Sequence, residues 1–581
     1  MKAGQSMSFP TIFPGVMPNV TPDVTRRRAM AGAAGLVLAG AGTQAAEAQS
    51  APNAMAHGAV FEDASGSGRR GPNSAGLPGI MVSNGRDVVM TDADGRWSIA
   101  VQPGDAVFVI KPTGYMTPVD PITQLPRFSH LHAPEGTPAA LQLRFPGITA
   151  TGALPESIDF PLRPQDEATK FDAILFTDTQ PESLAEVGYI RDDVVVATAG
   201  VDAAFGITHG DVMFDDLSYY DRYNRIVGTI GLPWYNCCGN HDMNLEAPDN
   251  THSRETFKRT FGARYSAFQY GGATFFLLDN VEYLGTDLEK PNGFGKYQGR
   301  FGPQQLTFVR NVLAHVPRDS LVVISHHIPL RTLVGSLPAI ANTDTKDFLA
   351  AISTHPNTVS FSGHTHTNEH WYFGDVDGYT AGGTHHHHVL AAVSGSWWSG
   401  PFDERGIPVA LQTDGSPNGF HVLAVDGSRY VTTLMPARDP ARSPMRIVLD
   451  SQVHRGDAEV LRDYHPGALL GGPIAQAAAG STRVVVNLFD GGPRSKVSMT
   501  VGRAGLPVTL ARVERRDPFV DEVYERNATT RKPWVKSEKS SHIWQASLPA
   551  ALPAGTHRIT VDATDEYGRA HTAWMVLEVT G

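Results

Sequence analysis

The sequence predicts an α/β fold in the middle of the chain, with a β-sandwich domain on each side. In the middle, continuous apolar or β-branched runs alternate with helical stretches, for example run 321–324 and stretch 347–353. Such runs suit strands buried on both faces, and their alternation with helices is typical of layered α/β domains. Towards both ends of the chain, short strand-like runs are separated by turns, as in small β-sandwiches. A chain of 581 residues is also too long for one core.

The N-terminal β domain is expected over residues 58–150 and the C-terminal one over residues 445–581. Asn-Gly and Asp-Gly turns separate the strand-like runs of the first. Gly, Pro and Asp turns separate those of the second. The runs are 79–83, 88–91, 97–99 and 107–110 in the first domain, and 483–488, 496–501, 557–561 and 572–577 in the second.

The central α/β domain is expected over residues 165–440. Its buried strands are predicted at 173–176, 274–278, 321–324 and 358–361, and its helices include 303–314 and 347–353. Pro303 suits the first turn of the helix that it begins. Because strands and helices alternate, a functional site is expected at the carboxyl ends of the strands.

Residues 1–48 have the features of a targeting segment. Arg26 and Arg27 precede an Ala/Gly-rich apolar run over 29–42, and Ala46-Glu47-Ala48 offers a cleavage site. The mild hydrophobicity and the Arg pair favour a twin-arginine signal, with an ordinary secretory signal or a disordered basic tail as alternatives. The protein is therefore expected to be periplasmic or secreted. No other stretch approaches the roughly 20 apolar residues of a membrane span.

The composition is that of an ordinary globular protein, with 41% hydrophobic and 18% charged residues. The net charge of -11 disfavours a nucleic-acid polymer as partner. Cys237 and Cys238 are the only cysteines, and neighbours in sequence rarely form a disulfide because the intervening peptide would be strained. The composition does not predict the oligomeric state.

Five polar blocks follow strand-like runs and together contain Asp, Asn and His. A single G-H-x-H would mean little, but five blocks in order supply oxygen donors and imidazoles enough for two divalent cations. The blocks are FTDTQ at 176–180, THGD at 208–211, CGNHD at 238–242, SHHIP at 325–329 and GHTH at 363–366.

The order of these blocks resembles that of the calcineurin-like metallophosphoesterases, over about residues 170–435. The resemblance implies a four-layer α/β/β/α sandwich, flanked here by the two β domains as in an exported bacterial branch of the family. It also implies that two divalent metal ions, Mn, Mg, Fe or Zn, support hydrolysis of a small phosphoester by a metal-bound hydroxide.

The resemblance also implies roles for individual residues. Asp211 would bridge the metals; Asp178, Gln180 and His366 would bind the first metal, and Asn240, His327 and His364 the second. His327 is preferred to His326 because the family spacing is H-x-P. His241 would face the phosphate and stabilise charge or protonate the leaving group, and Asp242 would orient it.

Gln180 departs from the family, which mostly has His at this position. A neutral carbonyl oxygen is a weaker and harder donor, so the first site should favour Mn²⁺ or Mg²⁺ over Zn²⁺. A water molecule in place of the Gln180 side chain is an equally weighted alternative. Phe214 replaces the Tyr that colours purple acid phosphatases, so a colourless site is expected.

Two further segments leave alternatives open. The run 385–388, four His, is either a metal-binding tract or, as we favour, a strand edge whose alternate His lie beside the site. Trp397 and Trp398 would line the substrate entrance or belong to the core.

Phosphodiesters are the expected substrates in preference to monoesters, because the motif loops carry few cations. Arg331, close to His327, is evidence against this. One alternative is hydrolysis of another bond with the same residues. Another is an exported binding protein whose β domains contact glycans or the envelope and whose metal site has decayed.

Overall fold

The fold was analysed in a computed structural model, which describes residues 54–71, 74–287, 295–438, 444–450, 473–503 and 505–581. The predicted targeting segment, residues 1–48, lies outside the described residues. Among the described helices, none combines the length and the apolar composition needed to cross a bilayer.

The N-terminal domain consists of two four-stranded sheets, in the orders β4-β1-β8-β6 and β3-β2-β5-β7. Side chains of β4 alternate between buried and exposed, and Trp97 stacks on Phe160 at 5.8 Å between ring centroids. The strands are β1 Ala54–Glu62, β2 Met81–Ser83, β3 Val88–Met90, β4 Arg96–Val101, β5 Ala106–Val109, β6 Tyr115–Met116, β7 Ser129–Leu131 and β8 Phe160–Pro164. Strands β1 and β8 extend beyond the predicted limits of 58–150 because they pair with each other.

The central domain contains two sheets, which are mostly parallel near the site. The first has the order β11-β10-β9-β20-β21 and the second β12-β13-β16-β17-β19-β18. The strands are β9 Lys170–Phe176, β10 Phe205–Thr208, β11 Trp234–Asn236, β12 Ser266–Tyr270, β13 Ala273–Leu277, β14 Val281–Gly285, β15 Lys296–Gly299, β16 Val322–Ser325, β17 Thr358–Ser362, β18 Glu369–Phe373, β19 His385–Val389, β20 Gly419–Asp426 and β21 Arg429–Pro436. Strands β14 and β15 form a separate hairpin.

Helices cover the outer faces of both sheets. The helices are α1 Leu184–Tyr189, α2 Tyr220–Gly228, α3 Glu255–Phe261, α4 Gly302–Leu313 and α5 Thr345–Ile352. Ile174 and Phe176 of β9 face α2 and α3, whereas Leu175 faces the second sheet. Val322 of β16 likewise faces α4 and α5. This period of two confirms the four-layer α/β/β/α arrangement.

The C-terminal domain is a second pair of sheets with one helix, which confirms the β domain expected after the central one. Its sheets have the orders β22-β24-β28-β27 and β23-β30-β29-β25-β26. The elements are β22 Met445–Leu449, β23 Ile474–Ala475, β24 Arg483–Leu488, β25 Lys496–Val501, β26 Val508–Thr509, β27 Ala511–Arg515, α6 Pro518–Arg526, β28 Ser540–Ser547, β29 Gly555–Thr564 and β30 Ala570–Thr580.

The C-terminal domain packs against strand β18, which is the edge of the six-stranded sheet. The Tyr372 hydroxyl on β18 donates a hydrogen bond to Glu566 at 2.8 Å. Arg494 lies over the Tyr372 ring at 3.6 Å. An edge strand that would otherwise be open to pairing is thus covered by the neighbouring domain.

Candidate metal centre

All seven predicted metal ligands lie in loops at the carboxyl ends of strands. Strands β9, β10 and β11 of one sheet are followed by the first three motif blocks, and β16 and β17 of the other sheet by the last two. Because these ends meet at one side of the sandwich, residues far apart in sequence come together. The ligands are Asp178, Gln180, Asp211, Asn240, His327, His364 and His366, and all but His364 are classed as buried.

The three histidines are each held at the outer nitrogen by a main-chain carbonyl. His327 Nδ1 lies 2.9 Å from the His209 oxygen, and His364 Nε2 lies 2.8 Å from the Ala339 oxygen. His366 Nδ1 contacts the Gly395 oxygen. A carbonyl oxygen can only accept, so each of these nitrogens carries the hydrogen. The other nitrogen of each ring is left with a lone pair, as a metal ligand requires.

The inner nitrogens and the oxygens converge at short range. His327 Nε2 lies 3.1 Å from Asn240 Oδ1, 3.2 Å from Asp211 Oδ2 and 3.2 Å from His364 Nδ1. When His327 Nε2 carries no hydrogen, these atoms all direct lone pairs towards one point, as the ligands of a cation do. Burial would lower the pKa of His327, but the Asp211 carboxylate more than offsets it and raises this pKa to about 9. The geometry therefore fits a bound cation.

A second group of donors adjoins the first. His366 Nε2 is 3.6 Å from Asp178 Oδ1 and has no hydrogen-bond partner in the described part of the chain. Gln180 Nε2 donates to Asp211 Oδ2 at 2.8 Å, and its buried Oε1 also lacks a partner among the described residues. These two unsatisfied acceptors, with Asp178, fit the first metal position implied by the family resemblance. The role of Gln180 as a ligand stays a prediction.

Backbone strain is concentrated at this centre. Ten non-glycine residues of the described chain have positive φ, and eight of them belong to the site or its rim. Such angles are uncommon outside glycine and persist where the surrounding structure imposes them. The eight are Asp178, Gln180, Asp211, Asp215, His364, His366, Trp397 and Trp398.

Two motif glycines allow the loops to approach each other. A Cβ on Gly239 would collide with Asp211, and a Cβ on Gly363 would collide with Thr177 and Asp178. Only a residue without a side chain fits at either position. The glycines of CGNHD and GHTH thus serve the packing of ligands from different strands.

His241 faces the same centre. The carboxylate hydrogen-bonded to its ring is not that of Asp242, the residue predicted to orient it. His241 Nδ1 lies 2.9 Å from Asp215 Oδ1, and Nε2 lies 4.0 Å from Asp211 Oδ2. Burial would lower the pKa of His241, but the charges of Asp215 and Asp211 outweigh it and raise this pKa to about 9. These two carboxylates therefore favour the protonated imidazole, which is the form that can donate a proton.

Asp242, the predicted orienting residue, has another position. Its carboxylate accepts hydrogen bonds from the backbone N–H groups of Val212, Met213 and Gly239 at 2.9–3.0 Å. It also accepts one from the Tyr220 hydroxyl at 3.0 Å. Asp242 thus holds two ligand loops together and acts on His241 through its charge, whereas the carboxylate hydrogen-bonded to the His241 ring is that of Asp215.

A pocket of about 210 Å³ opens over the centre and is lined in part by the C-terminal domain. Trp534, Lys536 and Glu538 contribute to it, beside Gln180 and His241. Sequence reasoning missed these three because no motif marks a residue supplied by another domain. A larger cleft of about 700 Å³ between the N-terminal and central domains contains none of the predicted site residues.

Aromatic rings frame the pocket. Phe214 stacks on His241 at 4.4 Å between centroids, and Trp534 stacks on Phe214 at 5.9 Å. Trp397 stacks on His366 at 3.7 Å and lines the pocket, whereas Trp398 is buried in the core. Of the two alternatives for this pair, Trp397 therefore fits the lining of the pocket and Trp398 fits the core.

Two family models match the chain. One, the N-terminal region of calcineurin-like phosphoesterases, matches residues 64–143, and the other, the C-terminal region, matches residues 387–571. No curated protein matches. A dimetal phosphatase from Danio rerio is similar at 15% identity and a TM-score of 0.30, over 46% of this chain and 99% of that one. A purple acid phosphatase from yellow lupin (Lupinus luteus) seeds is similar at 11% identity and a TM-score of 0.32, over 62% of this chain and 67% of that one.

The fold and the metal centre define a metal-dependent phosphoesterase. Two segments of the chain match the models of the N-terminal and C-terminal regions of calcineurin-like phosphoesterases, so the resemblance predicted from the five blocks is confirmed. The alternative of a binding protein with a decayed site is not supported, because the donors of all five blocks are assembled.

Proposed function

We propose that this protein is an exported phosphodiesterase with a binuclear metal centre. The observation that supports the metal centre most strongly is the orientation of the three histidines, each fixed by a main-chain carbonyl and directed at the oxygens of Asp178, Asp211 and Asn240. Two divalent cations bound there would neutralise the phosphate charge and activate the attacking water.

The protein groups have separable tasks in this reaction. Asp211 and Asn240 would hold the metals together with the histidines, while Asp215 orients the His241 ring. Protonated His241 would donate to the leaving oxygen as the ester bond breaks, or stabilise the charge on the phosphate. Trp534 and Trp397 would exclude water from the two sides of the pocket.

The diester preference is supported by the charges that line the pocket. Among the described lining residues Lys536 is the one Lys or Arg, and it pairs with Glu538 at 2.9 Å. Arg331, the cation that argued for monoesters, pairs instead with Asp377 and lies over the Phe373 ring. A dianionic monoester would find little further positive charge, whereas a diester carries one charge fewer.

Hydrolysis of p-nitrophenyl phosphate and bis-p-nitrophenyl phosphate by the Mn²⁺-loaded protein tests this preference. We expect a higher kcat/KM for the diester, and Glu538→Gln should shift the ratio towards the monoester by about 3- to 10-fold because Lys536 loses its counter-charge. Asp426→Asn breaks an exposed ion pair on the β20–β21 hairpin and serves as the matched control. A monoester preference in the unaltered protein would overturn the proposal.

The proposed metals are Mn²⁺ or Mg²⁺, on account of Gln180. Gln180→His would add an imidazole to the first position, so the variant should gain zinc-supported activity relative to manganese-supported activity. Reconstituting both metal-free proteins with each ion in turn gives the ratio. An unchanged ratio would indicate that the Gln180 side chain does not bind the metal.

Export is proposed from the N-terminal sequence alone. A reporter fused behind residues 1–48 should leave the bacterial cytoplasm through the twin-arginine route. Replacing Arg26 and Arg27 by Lys should stop this export. A reporter that stays inside the cell in both forms would contradict the proposal.

A further inference from the structure

A second group of histidines converges at the boundary between the central and C-terminal domains. His370 Nε2 and His388 Nε2 each lie 3.2 Å from Asp490 Oδ1, and His421 Nε2 lies 3.6 Å from the same oxygen. We call these four residues, His370, His388, His421 and Asp490, the interdomain cluster. None of them lines the pocket of the catalytic centre.

The strand pattern explains why these side chains meet. His388 on β19 is opposite His370 on β18, so both point to the same face of the six-stranded sheet. His421 comes from β20 of the other sheet, and Asp490 from the turn after β24 of the C-terminal domain. Strand β19 pairs on both sides, so the predicted four-His strand is not at a sheet edge. On β19, His386 and His388 are the two that face His370 and this cluster, and not the catalytic site.

The ligand atoms of His370, His388 and Asp490 all lie within 4.8 Å of one another, as ligands around one small ion do, and His421 lies beside Asp490. Ligands at 2.0–2.1 Å from a tetrahedral Zn²⁺ are separated from each other by about 3.3 Å. The three nitrogen–oxygen distances are 3.2, 3.2 and 3.6 Å. Three imidazoles and one carboxylate also form a donor set that suits Zn²⁺.

The hydrogen bonding is incomplete without an additional charge. Neither ring nitrogen of His421 has a hydrogen-bond partner among the described residues, and Asp490 Oδ2 also lacks one. All three histidine rings are buried. Leaving such groups unsatisfied costs free energy that a bound cation would offset.

The outer nitrogens are arranged as they are around bound metals. His370 Nδ1 lies 2.9 Å from His386 Nε2, and His386 Nδ1 lies 2.7 Å from the Tyr430 hydroxyl. His388 Nδ1 lies 3.3 Å from the Thr432 hydroxyl. If Nε2 of His370 and of His388 is the ligand, the Nδ1–H of each of these two rings has an acceptor, which fixes the tautomer and the ring orientation.

We propose that the interdomain cluster binds one Zn²⁺, which links both sheets of the central domain to the C-terminal domain. His370, His388 and Asp490 would bind the ion with His421 as the fourth ligand, and an ion enclosed by protein groups in this way has a structural role. It would hold in place the domain that supplies Trp534, Lys536 and Glu538 to the catalytic pocket.

The experiment uses Asp211→Asn protein freed of metal, because this substitution weakens the catalytic centre. Titration with Zn²⁺ alone should show about one tightly bound ion per chain, and a rise in Tm as it binds. Adding His421→Leu should abolish this ion, because the ring is replaced by an apolar side chain of similar size. The matched control is His385→Gln on the opposite face of β19, which is equally buried and should retain the ion.

Crystals of the unaltered protein provide a measurement that does not depend on any variant folding. Anomalous difference density at the zinc edge is expected between His388 and Asp490, separate from the density at Asp211. No density there, or an equal zinc titration with and without His421→Leu, would overturn the proposal and leave a hydrogen-bonded network. Failure of the phosphodiesterase proposal would change neither result, since neither measures turnover.

A linked effect on kinetics is also expected. In the fully loaded enzyme, His421→Leu should raise KM several-fold more than it lowers kcat, because it loosens a wall of the pocket and leaves the catalytic ligands in place. A loss confined to kcat would contradict the positioning role of this cluster.

Discussion

The catalytic centre and the interdomain cluster both gather imidazoles and carboxylates, yet the chain presents them in opposite ways. The catalytic ligands lie in loops beyond strand ends, five of seven with positive φ, beneath an open pocket. The three histidines of the interdomain cluster lie within strands β18, β19 and β20, and none has positive φ.

The difference follows from what each centre must do. A catalytic metal needs an open position for substrate and water, so its ligands approach from one side, and the loops that carry them adopt costly conformations. A structural ion can be enclosed by regular strands. Strain in the backbone thus marks the reactive centre, and its absence marks the centre that holds domains together.

The largest expected effect comes from Asp211→Asn. Removing the charge between the two ligand groups should lower turnover by more than roughly 10³-fold and remove catalytic metal. Metal analysis and diester hydrolysis measure this, with Asp221→Asn on the exposed face of α2 as the control. The interdomain cluster should keep its ion. Full activity and full metal content would contradict the assignment of the catalytic centre.

His241→Ala should have the next largest effect. We expect a loss of about 10²-fold or more in kcat with the metal content unchanged, because His241 supplies a proton or stabilises charge and does not bind metal. Loss of metal with normal turnover per bound ion would make His241 a ligand instead.

Substitutions of the two carboxylates near His241 should have different effects, one on turnover and the other on stability. Asp215→Asn should lower kcat by about 10-fold without changing the Tm, since it only weakens the hold on the His241 ring. Asp242→Asn should lower the free energy of unfolding by roughly 2 kcal/mol or more, because three backbone N–H groups depend on its carboxylate. If Asp242→Asn reduces kcat alone, Asp242 orients the ring as we first predicted.

The smallest expected effect is optical. Phe214 stacks on His241 and offers no oxygen to a metal, so the native enzyme should show no visible charge-transfer band. The absorption spectrum of the protein as purified tests this. A band near that of a tyrosinate–iron centre would contradict it.

The sequence predicted the four layers and the convergence of all seven proposed ligands, because polar blocks follow strand ends along the chain. It did not predict Asp215 as the partner of His241, since the positive φ that turns this loop cannot be read from residue types. Trp534 and Asp490 were missed for another reason. Their partners belong to the central domain and lie far away in sequence, and no spacing rule connects separate domains.

The pocket wall formed by Trp534, Lys536 and Glu538 has a consequence for how such an enzyme can change. Bond cleavage depends on residues of the central domain, whereas part of the surface that a substrate meets belongs to the appended domain. Substitutions in the segment 534–538 can therefore alter which esters are accepted while the metals remain in place. Selection can act on specificity and on chemistry through two separately varying parts of one chain.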